Sequence, residues 1–466
     1  MAYKKTDKHE QRVFKQTVEY DEVLDRMLRD SVSIYDQTLY YYRQEYFRCR
    51  DLDWTELPKY PSRFDVTDMV KVRDAFTTSK MDINIKQECI AQASEAWTGY
   101  IRAKKKYKEH PKEFTDEPQM PRYKYRKQVY NVVTVNKTRF RGSSDKYIKL
   151  PCTDYNVRIP DGLKKEWIDQ LKISYKYGKF HIVFIYNYEL KREFERQQRK
   201  EKTVQLNPKA FLGIDLGQKL FVAGTTYGCD NEQSFIIRGS EIKQLIKDTN
   251  DSIARLTSAA LISKNPEITK ISKKDGLLKL SKNSRQMSGI WEHYNNSSDN
   301  FVHCVSNMII DLCTENCIGN IVIGHNEFWK QNSDIGRKNN GIFCKLPHTE
   351  LIEELKYKCK SAGIRLIEVE ESYTSKCDHL ANEDMCHHDT YLGKRKGRLY
   401  YSSTGKRLHS DINGCIGMLR KANVIQDAFG LLNRGDIVSP VVLNVRGYQP
   451  RKQRSPKKTD VIDNTL

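Results

Sequence analysis

The sequence predicts a mixed α/β protein in which the second half of the chain forms a β-sheet covered by helices. Two observations predict this class. After about residue 206, short apolar segments typical of strands alternate with longer segments whose apolar residues recur at the helical period. The first three apolar segments follow one another with no helix between them, which indicates three antiparallel strands at the start of the sheet.

The opening segment, residues 10–50, carries apolar residues at helical spacing and is predicted to be a helical region. Its last part, residues 39–50, mixes tyrosine and phenylalanine with arginine. Such a mixture can stack on bases while neutralising phosphates, but an amphipathic core helix has the same composition. The sequence favours the two interpretations equally.

Basic residues dominate residues 102–149, and strands are predicted there at residues 129–135 and 147–150. A charge run is usually only a solvated face. Because this one leads into strands, a basic β surface that contacts a phosphate backbone is the second interpretation.

Two further strands, at residues 171–175 and 180–186, flank a short turn and predict a hairpin. Residues 189–208 are charged and poor in apolar residues, which is typical of a connector. We therefore place a domain boundary near residue 206.

The second half is predicted from its apolar patterns as a fixed order of elements. These are strands at residues 210–214, 219–225 and 234–237, helices at 242–256 and 301–312, a strand at 320–324, a loop through 341, a helix after Pro347, a strand at 364–370 and a helix that begins at Asp411. A mixed sheet that starts with three antiparallel strands and carries helices on its faces is the ribonuclease H-like arrangement.

The charge balance predicts a polyanionic partner. Lys and Arg number 80 against 60 Asp and Glu, so the formal charge is +20 and the pI is about 9.2, which suits nucleic acid. The mean hydropathy of -0.72 and the lack of a long apolar run predict a soluble intracellular protein. The twelve cysteines are then expected to be reduced, most of them as buried small apolar residues.

Three acidic residues stand at positions where a fold of this kind can bring them together. Asp215 ends the first strand, Glu371 ends a later strand, and Asp411 starts a helix. Carboxylates gathered at one point repel one another unless divalent cations lie between them. Two such ions about 4 Å apart stabilise both the attacking and the leaving oxygen of a phosphodiester displacement, so the pattern predicts a two-metal nuclease centre.

Four motifs resemble one family of nucleases: residues 213–217 (Gly-Ile-Asp-Leu-Gly), residues 371–377 (Glu-Ser-Tyr-Thr-Ser-Lys-Cys), residues 391–395 (Tyr-Leu-Gly-Lys-Arg) and residues 411–414 (Asp-Ile-Asn-Gly). They are similar to the RuvC domain of TnpB proteins, the transposon-encoded RNA-guided nucleases. Their relatives called Fanzor and the compact type V CRISPR effectors share that core. The resemblance is dense from about residue 206 to 423 and weaker at residues 121–127 and 147–151.

The resemblance implies roles for the acidic residues, with one departure. Asp215 resembles the first RuvC carboxylate and Asp411 the third. Most of the family places the glutamate at the end of the strand that corresponds to residues 321–323, where this chain has Gly324 and His325. One branch places it before Ser-Tyr-Thr-Ser, which is Glu371 here. Strand alternation supports Glu371, with Glu370 and Glu327 as the competitors.

The resemblance also implies a division into domains. It predicts a β-barrel-like wedge domain at residues 1–35 and 118–205, split by a helical recognition insert at 36–117, then a RuvC domain at 206–430 and a basic tail at 431–466. A degenerate zinc-ribbon-like insert is expected near residues 377–409. The basic segment within the tail, residues 451–458, reads as solvated charge, a nuclear address or a phosphate-binding arm.

By the same resemblance the protein is expected to be an RNA-guided DNA endonuclease with a transposon-derived guide RNA, double-stranded target DNA and two Mg²⁺ ions held by Asp215, Glu371 and Asp411. A monomer is favoured, located in the cytoplasm or nucleoid of a prokaryote or in a nucleus. The side chains expected to contact nucleic acid are Arg122, Lys124, Arg126, Lys127, Lys330, Lys376, Lys394 and Arg395.

Zinc is not expected, although the family often carries a ribbon of two Cys-x-x-Cys pairs in this interval. This chain has Cys377, His379, Cys386, His387 and His388 there, at no recognised ligand spacing. Cys377 and Cys386 are the weak candidates.

Three other functions remain open. A guide-dependent regulator that has lost cleavage is disfavoured by three intact carboxylates. A ribonuclease H-like transposase usually orders its acids Asp, Asp, Glu, unlike this chain. A compact type V CRISPR effector shares the same chemistry and is not distinguished by one sequence.

Overall fold

The structure, a computed structural model, describes residues 10–49, 62–124, 130–142, 144–199, 205–262, 271–274, 277–280, 285–325, 342 and 344–445. The chain divides into two compact units, residues 1–201 and 202–466. The boundary predicted near residue 206 lies close to this division. No helix in the described ranges is long and apolar enough to cross a membrane.

The first unit combines helices with a β-sheet. Its elements are β1 (Gln11–Val18), α1 (Glu22–Arg48), α2 (Arg63–Lys71), α3 (Asp74–Thr77), α4 (Ile83–Glu109), β2 (Val133–Asn136), β3 (Tyr147–Lys149), β4 (Asn156–Arg158), β5 (Ile168–Lys176), β6 (Lys179–Asn187) and α5 (Tyr188–Arg199). Four of the strands form one sheet in the order β1-β6-β5-β2, and β3 pairs with β4.

Helices and sheet of this unit share one hydrophobic core, to which α1, α4 and β6 contribute Leu24, Ile85 and Phe184. In sequence the helices α1 to α4 lie between the two edge strands β1 and β2. They begin at Glu22, ahead of the predicted insert boundary at residue 36. The described strands form an open sheet, so the barrel-like wedge stays a prediction.

The predicted hairpin is confirmed as β5 and β6, which pair along their length. Tyr177 and Gly178 form the turn with φ angles of 56° and 81°. Two consecutive residues with positive φ give a turn whose twist matches that of the flanking strands.

One prediction about the first unit was wrong, and another gains detail. Residues 11–18 form a strand instead of the start of a helix, because a full-length antiparallel partner in β6 is available to them. Helix α1 begins only where Asp21 caps it, accepting bonds from the N–H groups of Val23 (2.9 Å) and Leu24 (3.1 Å). The predicted connector contains helix α5, whose charges can pair at i,i+4 spacing, as Lys191 and Glu195 do at 3.8 Å.

The aromatic stretch at residues 39–49 divides between two faces of α1. Leu39 and Tyr42 are buried, and the Tyr42 ring stacks on that of Trp97 with centroids 5.7 Å apart. Tyr40 and Phe47 are exposed. The core-helix interpretation is therefore confirmed for the buried face, and stacking on bases stays a prediction for the exposed one.

The second unit is built on a six-stranded sheet. Its elements are β7 (Asn207–Asp215), β8 (Leu220–Tyr227), β9 (Ser234–Arg238), α6 (Ser240–Ile262), β10 (Ile271–Lys274), β11 (Leu277–Leu280), α7 (Arg285–Glu315), β12 (Ile318–Gly324), α8 (His348–Ala362), β13 (Arg365–Val369), β14 (Lys394–Lys396), β15 (Leu399–Tyr401), β16 (Arg407–His409), α9 (Ser410–Lys421) and β17 (Val441–Leu443).

The strands of the large sheet lie in the order β13-β12-β7-β8-β9-β17. The first three in sequence, β7, β8 and β9, are antiparallel neighbours, while β12 runs parallel to β7 and β13 parallel to β12. This is the ribonuclease H-like arrangement that the sequence predicts. Because β7, β12 and β13 are parallel, their carboxyl ends meet at one edge of the sheet.

The sheet carries helices on both faces. One face packs on α6, α7 and α8 through a core that includes Phe301 and Leu351. The opposite face packs on α9 through a second core that includes Val322, Cys415 and Leu419. The second core lies on the side from which α9 approaches the carboxyl end of β7.

The sheet extends further along the chain than predicted. Val441–Leu443 pair in parallel with β9, and Leu431 and Ile437 are buried. Residues from 431 onward were predicted to be a basic tail, but an apolar, β-branched segment can add an edge strand that the charge pattern does not reveal. Residues 451–458 lie outside the described ranges.

Helix α9 packs very closely on β7 at Gly213. A Cβ atom there would lie 2.7 Å from Leu419 Cγ and 2.8 Å from the carbonyl oxygen of Cys415. Gly213→Ala is therefore expected to separate helix and strand and to lower the free energy of unfolding by about 1–3 kcal/mol. Thermal denaturation should show a lower apparent Tm.

The matched control is Gly289→Ala in α7, where a Cβ would meet nothing within 4 Å. Alanine favours helix over glycine by about 1 kcal/mol, so the Tm of this variant should stay equal or rise. Equal losses of Tm for both variants would contradict the proposed close contact.

Candidate active site

Asp215 lies at the carboxyl end of β7, against the first turn of α9. A Cβ atom at Gly414 would lie 2.8 Å from Asp215 Oδ2, so the helix leaves room for this carboxylate only because residue 414 has no side chain. A glycine in a helix interior costs about 1 kcal/mol relative to alanine. At position 414 the missing side chain leaves room for the Asp215 carboxylate against the helix.

Asp411 occupies the first turn of α9, where the positive end of the helix dipole stabilises a negative charge. His409 precedes the helix, and its Nδ1 accepts a bond from the N–H of Asp411 at 3.3 Å. Asp411 Oδ1 also accepts a bond from the Arg395 guanidinium at 3.1 Å. The helix start and one arginine thus fix this carboxylate.

Glu371 reaches the same place from two residues beyond the end of β13. In the parallel pairing of β12 with β13, Gly324 stands opposite Val369. A Cβ atom at Gly324 would lie 2.5 Å from Glu371 Cγ and 2.6 Å from Glu371 Oε1. The glutamate side chain therefore fills the space that a side chain at position 324 would take, which is the position where the sequence lacks a carboxylate.

The alternation predicted for β13 is observed. Ile367 and Val369 pack against the core beneath α9, while Glu368 and Glu370 are exposed. Glu368 pairs with His325 at 3.2 Å, away from that core. Glu370, the main competitor, thus belongs to the solvent-facing set, and Glu327 lies outside the described residues.

Burial raises the pKa values of two of the carboxylates, and electrostatic repulsion from the other two adds to the rise at Asp215. The pKa of Asp215 is raised to about 8, first by burial and then by the negative charges of Glu371 and Asp411, against the lowering effect of Arg395. The pKa of Glu371 is raised to about 7 by burial, against the lowering effect of the Lys421 charge. Protonation or a bound cation is needed to relieve this cost near neutral pH.

The donor set fits a hard divalent cation in its chemistry, because carboxylate oxygens are the ligands that magnesium prefers. Within the described ranges, however, no three or more His, Cys, Asp or Glu side chains are already arranged to hold a metal ion. One reason is visible at Asp411, where Arg395 occupies Oδ1. Asp215, Glu371 and Asp411 are thus neighbours, and a bound cation would offset the repulsion between their charges.

The insert between Glu371 and Asp411 is held by buried polar groups. Asp378 Oδ2 accepts bonds from the Ser402 hydroxyl at 2.9 Å and from the N–H and hydroxyl of Ser403 at 2.7 and 3.0 Å. Glu383 accepts from the N–H groups of Asp378 at 2.6 Å and Leu392 at 2.8 Å. These two carboxylates tie the start of the insert to its later strands.

The weak zinc candidates have different partners. Cys377 is buried, and burial raises its pKa to about 11, which favours the thiol over the thiolate that zinc requires. Cys386 Sγ lies 3.4 Å from His388 Nε2. His379 lies between the Thr374 carbonyl at 2.7 Å and Arg420 at 3.0 Å, and burial lowers its pKa to about 4.

The residues predicted to contact nucleic acid differ in their exposure. Arg122, Lys376, Lys394 and Arg395 are exposed. Lys124 is engaged within the first unit, where its ammonium donates to Asn131 and lies 3.9 Å from the centre of the Tyr35 ring; burial lowers its pKa. Arg126, Lys127 and Lys330 lie outside the described residues.

Sequence reasoning missed the glycines that shape the site. Gly324 was noted only as a missing carboxylate and Gly414 only as part of a motif. A glycine inside a strand or helix often marks a close approach of another group, and this signal was present at both positions. It would not have revealed which group approaches.

Comparisons with known proteins place the site in context. Residues 348–418 match the family model of the Cas12f1-like TNB domain. This segment includes Glu371 and Asp411 but not Asp215. A search of curated proteins finds no match to this chain.

Two solved structures are similar over most of their length. The protein of a Cas12f1-sgRNA-target DNA complex is 11% identical with a TM-score of 0.47, and the match covers 85% of this chain and 82% of that chain. The mini RNA-guided endonuclease CRISPR-Cas phi3 is 12% identical with a TM-score of 0.48, covering 89% and 92%. Both TM-scores lie below 0.5, so these likenesses are distant.

The buried hydrogen bonds of Asp378 predict that the insert becomes less stable when this carboxylate is removed. Asp378→Ala leaves the Ser402 and Ser403 donors without their acceptor, which typically costs about 3 kcal/mol for a buried charged group with several bonds. Limited proteolysis should then cut within residues 377–409 at lower protease concentration. The mild control is the nearby Thr404→Ala, which removes a single hydroxyl bond to Ser402.

A zinc chelator provides the complementary measurement. The carboxylate network is expected to hold the wild-type insert without metal, so chelation should leave its protease resistance unchanged. A loss of resistance on chelation, restored by zinc, would contradict this account.

The raised pKa values predict a pH-dependent response to magnesium. Because the folded-state pKa values of Asp215 and Glu371 lie above the ordinary values, the metal-free protein loses stability as pH rises from about 4 through about 8. Magnesium should offset this loss. The rise in Tm on adding Mg²⁺ should therefore be larger at pH 8 than at pH 6.

Asp215→Asn tests the origin of the effect. It removes the buried charge, so in a metal chelator at pH 8 this variant should melt above the wild type and respond little to magnesium. Glu370→Gln, at an exposed neighbouring carboxylate, should behave like the wild type. An equal magnesium response in all three proteins would refute the assignment.

Proposed function

We propose that this protein is an RNA-guided DNA endonuclease that hydrolyses phosphodiester bonds at Asp215, Glu371 and Asp411 with magnesium. The single observation that carries the proposal is a packing arrangement: α9, which bears Asp411 in its first turn, packs against the Asp215 carboxylate at Gly414, and the Glu371 side chain fills the space beside Gly324 at the end of the adjacent strand β12. The ribonuclease H-like order of strands supports it, because the site lies where β7, β12 and β13 end together.

Guidance by RNA is supported by three further observations. The formal charge of +20 suits large nucleic-acid partners. Residues 348–418 match the Cas12f1-like TNB domain, and the quoted motifs resemble TnpB proteins. In guided nucleases the protein holds the heteroduplex by shape and charge, while base pairing supplies sequence specificity.

The residues of the site have distinct tasks in this proposal. Asp215, Glu371 and Asp411 would hold magnesium, which supplies a Lewis acid for the attacking water and charge stabilisation for the departing 3'-oxygen. Arg395 neutralises Asp411 at 3.1 Å and becomes available to a phosphate once Asp411 has another partner. Lys421 draws down the pKa of Glu371 and so favours its charged form.

The match to a Cas12f1-like domain favours a second candidate, a compact type V CRISPR effector. It uses the same chemistry and differs in the source of the guide. We favour a transposon-derived guide because the glutamate before Ser-Tyr-Thr-Ser resembles one TnpB branch. Sequencing the RNA that purifies with the protein distinguishes the two.

The proposed function predicts dependence on a discrete RNA. The purified protein is expected to carry such an RNA, and removing it should abolish cleavage of a matched DNA duplex. Adding the RNA back should restore cleavage, whereas an RNA with a scrambled guide segment should not. Equal cutting of the same site by RNA-free protein would show that guidance is wrong.

The displaced glutamate predicts a rescue experiment. Glu371→Gln should reduce the single-turnover cleavage rate at least about 100-fold, equivalent to roughly 3 kcal/mol of transition-state stabilisation. Gly324→Asp alone should also impair cleavage, because its Cβ would lie 2.5 Å from Glu371 Cγ. Combined with Glu371→Ala, the same aspartate occupies the emptied space, so the double variant should exceed Glu371→Ala by about 10-fold or more.

The controls are the two competing carboxylates. Glu370→Gln and Glu327→Gln should each retain cleavage close to that of the wild type. Binding of target DNA should survive in all these variants, since affinity comes from phosphate contacts spread over the basic surface. A near wild-type Glu371→Gln beside an inactive Glu370→Gln or Glu327→Gln would transfer the role to the competitor.

A further inference from the structure

A cavity of about 300 Å³ opens beside Asp411 within the second unit. It lies between the start of β8, the end of β9, the start of α6, the insert, and the start of α9. The lining residues that matter for its chemistry are Lys219, Arg238, Lys243, Arg398, Ser410 and Asp411. None of these except Asp411 has a role in the proposed nuclease centre.

The charged side chains that line this cavity are mostly basic. Five of its lining residues are lysine or arginine, and Asp411, which Arg395 already neutralises, is the one acidic residue among them. Lys243 donates to the carbonyl oxygen of Lys219 at 2.9 Å, and its pKa is lowered by burial and by the Lys219 charge. Cations crowded in this way gain from an anion placed between them.

Ser410 supplies an independent indication of a ligand. Its side chain is 1% exposed, and its buried hydroxyl has no hydrogen-bond partner in the described part of the chain. A buried hydroxyl without a partner costs about 1–3 kcal/mol. Such a group, on a residue that lines a basic cavity, is well suited to donate to a bound oxygen.

The backbone adds to the same polarity. Ser240 opens α6 and Ser410 opens α9, and both residues line the cavity. Helix amino termini carry partial positive charge and free N–H groups, which favour phosphate. Two helix starts, five basic side chains and an unpartnered hydroxyl therefore face one space.

We propose that this cavity binds a backbone phosphate of the DNA strand being cut, adjacent to the phosphate that is hydrolysed. The inference rests on the proposed function for the identity of the strand. Lys219 and Lys243 hold the phosphate by charge, and Ser410 donates a hydrogen bond to it. This contact positions the strand so that its neighbouring phosphate meets Asp215, Glu371 and Asp411.

The test combines DNA in which one phosphate is replaced by an uncharged analogue with a variant in which two cavity lysines are replaced by alanine. Single-stranded DNA substrates carry one methylphosphonate, which has no charge, at successive positions around the cleavage site. For the full-length RNA-loaded wild type, one position beside the scissile phosphate should raise the KM for cleavage about 10-fold while kcat changes little. In Lys219→Ala/Lys243→Ala the natural strand should show this loss, and the methylphosphonate at that position should add nothing.

Matched variants separate a specific site from general charge. Lys247→Ala lies one turn further along α6, on an exposed side chain that does not line the cavity, and should keep the full sensitivity to the methylphosphonate. Ser410→Ala should raise KM about 3-fold with reduced sensitivity at the same position, and Ser410→Thr should restore both. In Lys219→Ala/Lys243→Ala, the slope of log affinity against log salt concentration should fall by about 0.7 for each phosphate contact that is lost.

The inference and the proposed function fail differently. If the wild type cleaves but the methylphosphonate effect is equal in wild type and Lys219→Ala/Lys243→Ala at every position, the cavity does not bind this phosphate. If the wild type does not cleave, the same cycle is measured by binding in a metal chelator. A position-specific loss there supports the cavity while the nuclease function is refuted, and its absence overturns the inference as well.

Discussion

The close approach of α9 to the sheet positions the two aspartates of the site. The helix meets β7 at Gly213, where a Cβ would lie 2.7 Å from Leu419. The same contact brings Gly414 against the Asp215 carboxylate and places Asp411 beside it. Glycine is needed at these points because any side chain would hold helix and strand apart and so separate the two aspartates that the helix and β7 contribute.

The position of the glutamate follows from the same crowding. The space above the end of β12 is filled by Glu371 and by Met418 of α9, whose side-chain atoms lie within 2.6 Å of the Cβ position of Gly324. A carboxylate can enter this space from the end of β12 or from the residues just after β13, because Gly324 and Val369 are paired in register. A glutamate supplied from either position would therefore place its charge at the same point.

Local patterns predicted the parts of the site that depend on strand and helix periods. Asp215 and Asp411 were located by the apolar residues before and after them, and Glu371 was preferred over Glu370 by alternation, which the exposure of Glu370 supports. Patterns did not predict β1 or β17, because an edge strand forms where a distant partner offers hydrogen bonds. The contacts of Lys124 were also not foreseen, because Asn131 and the Tyr35 ring, which contact its ammonium, are distant in sequence or carry no charge.

The cavity beside Asp411 was invisible to sequence reasoning because its basic residues come from four separate segments, each with an ordinary charge content. Together they solve a problem that the carboxylates create. A phosphodiester is an anion, and three carboxylates repel it as strongly as they attract cations. In the proposed function, basic groups placed beside Asp411 would hold the strand close and leave Asp215 and Glu371 available for a metal. If the proposal holds, the residues that bind the strand are separate from those that hold the metal, and this separation would allow an acidic centre to act on an acidic polymer.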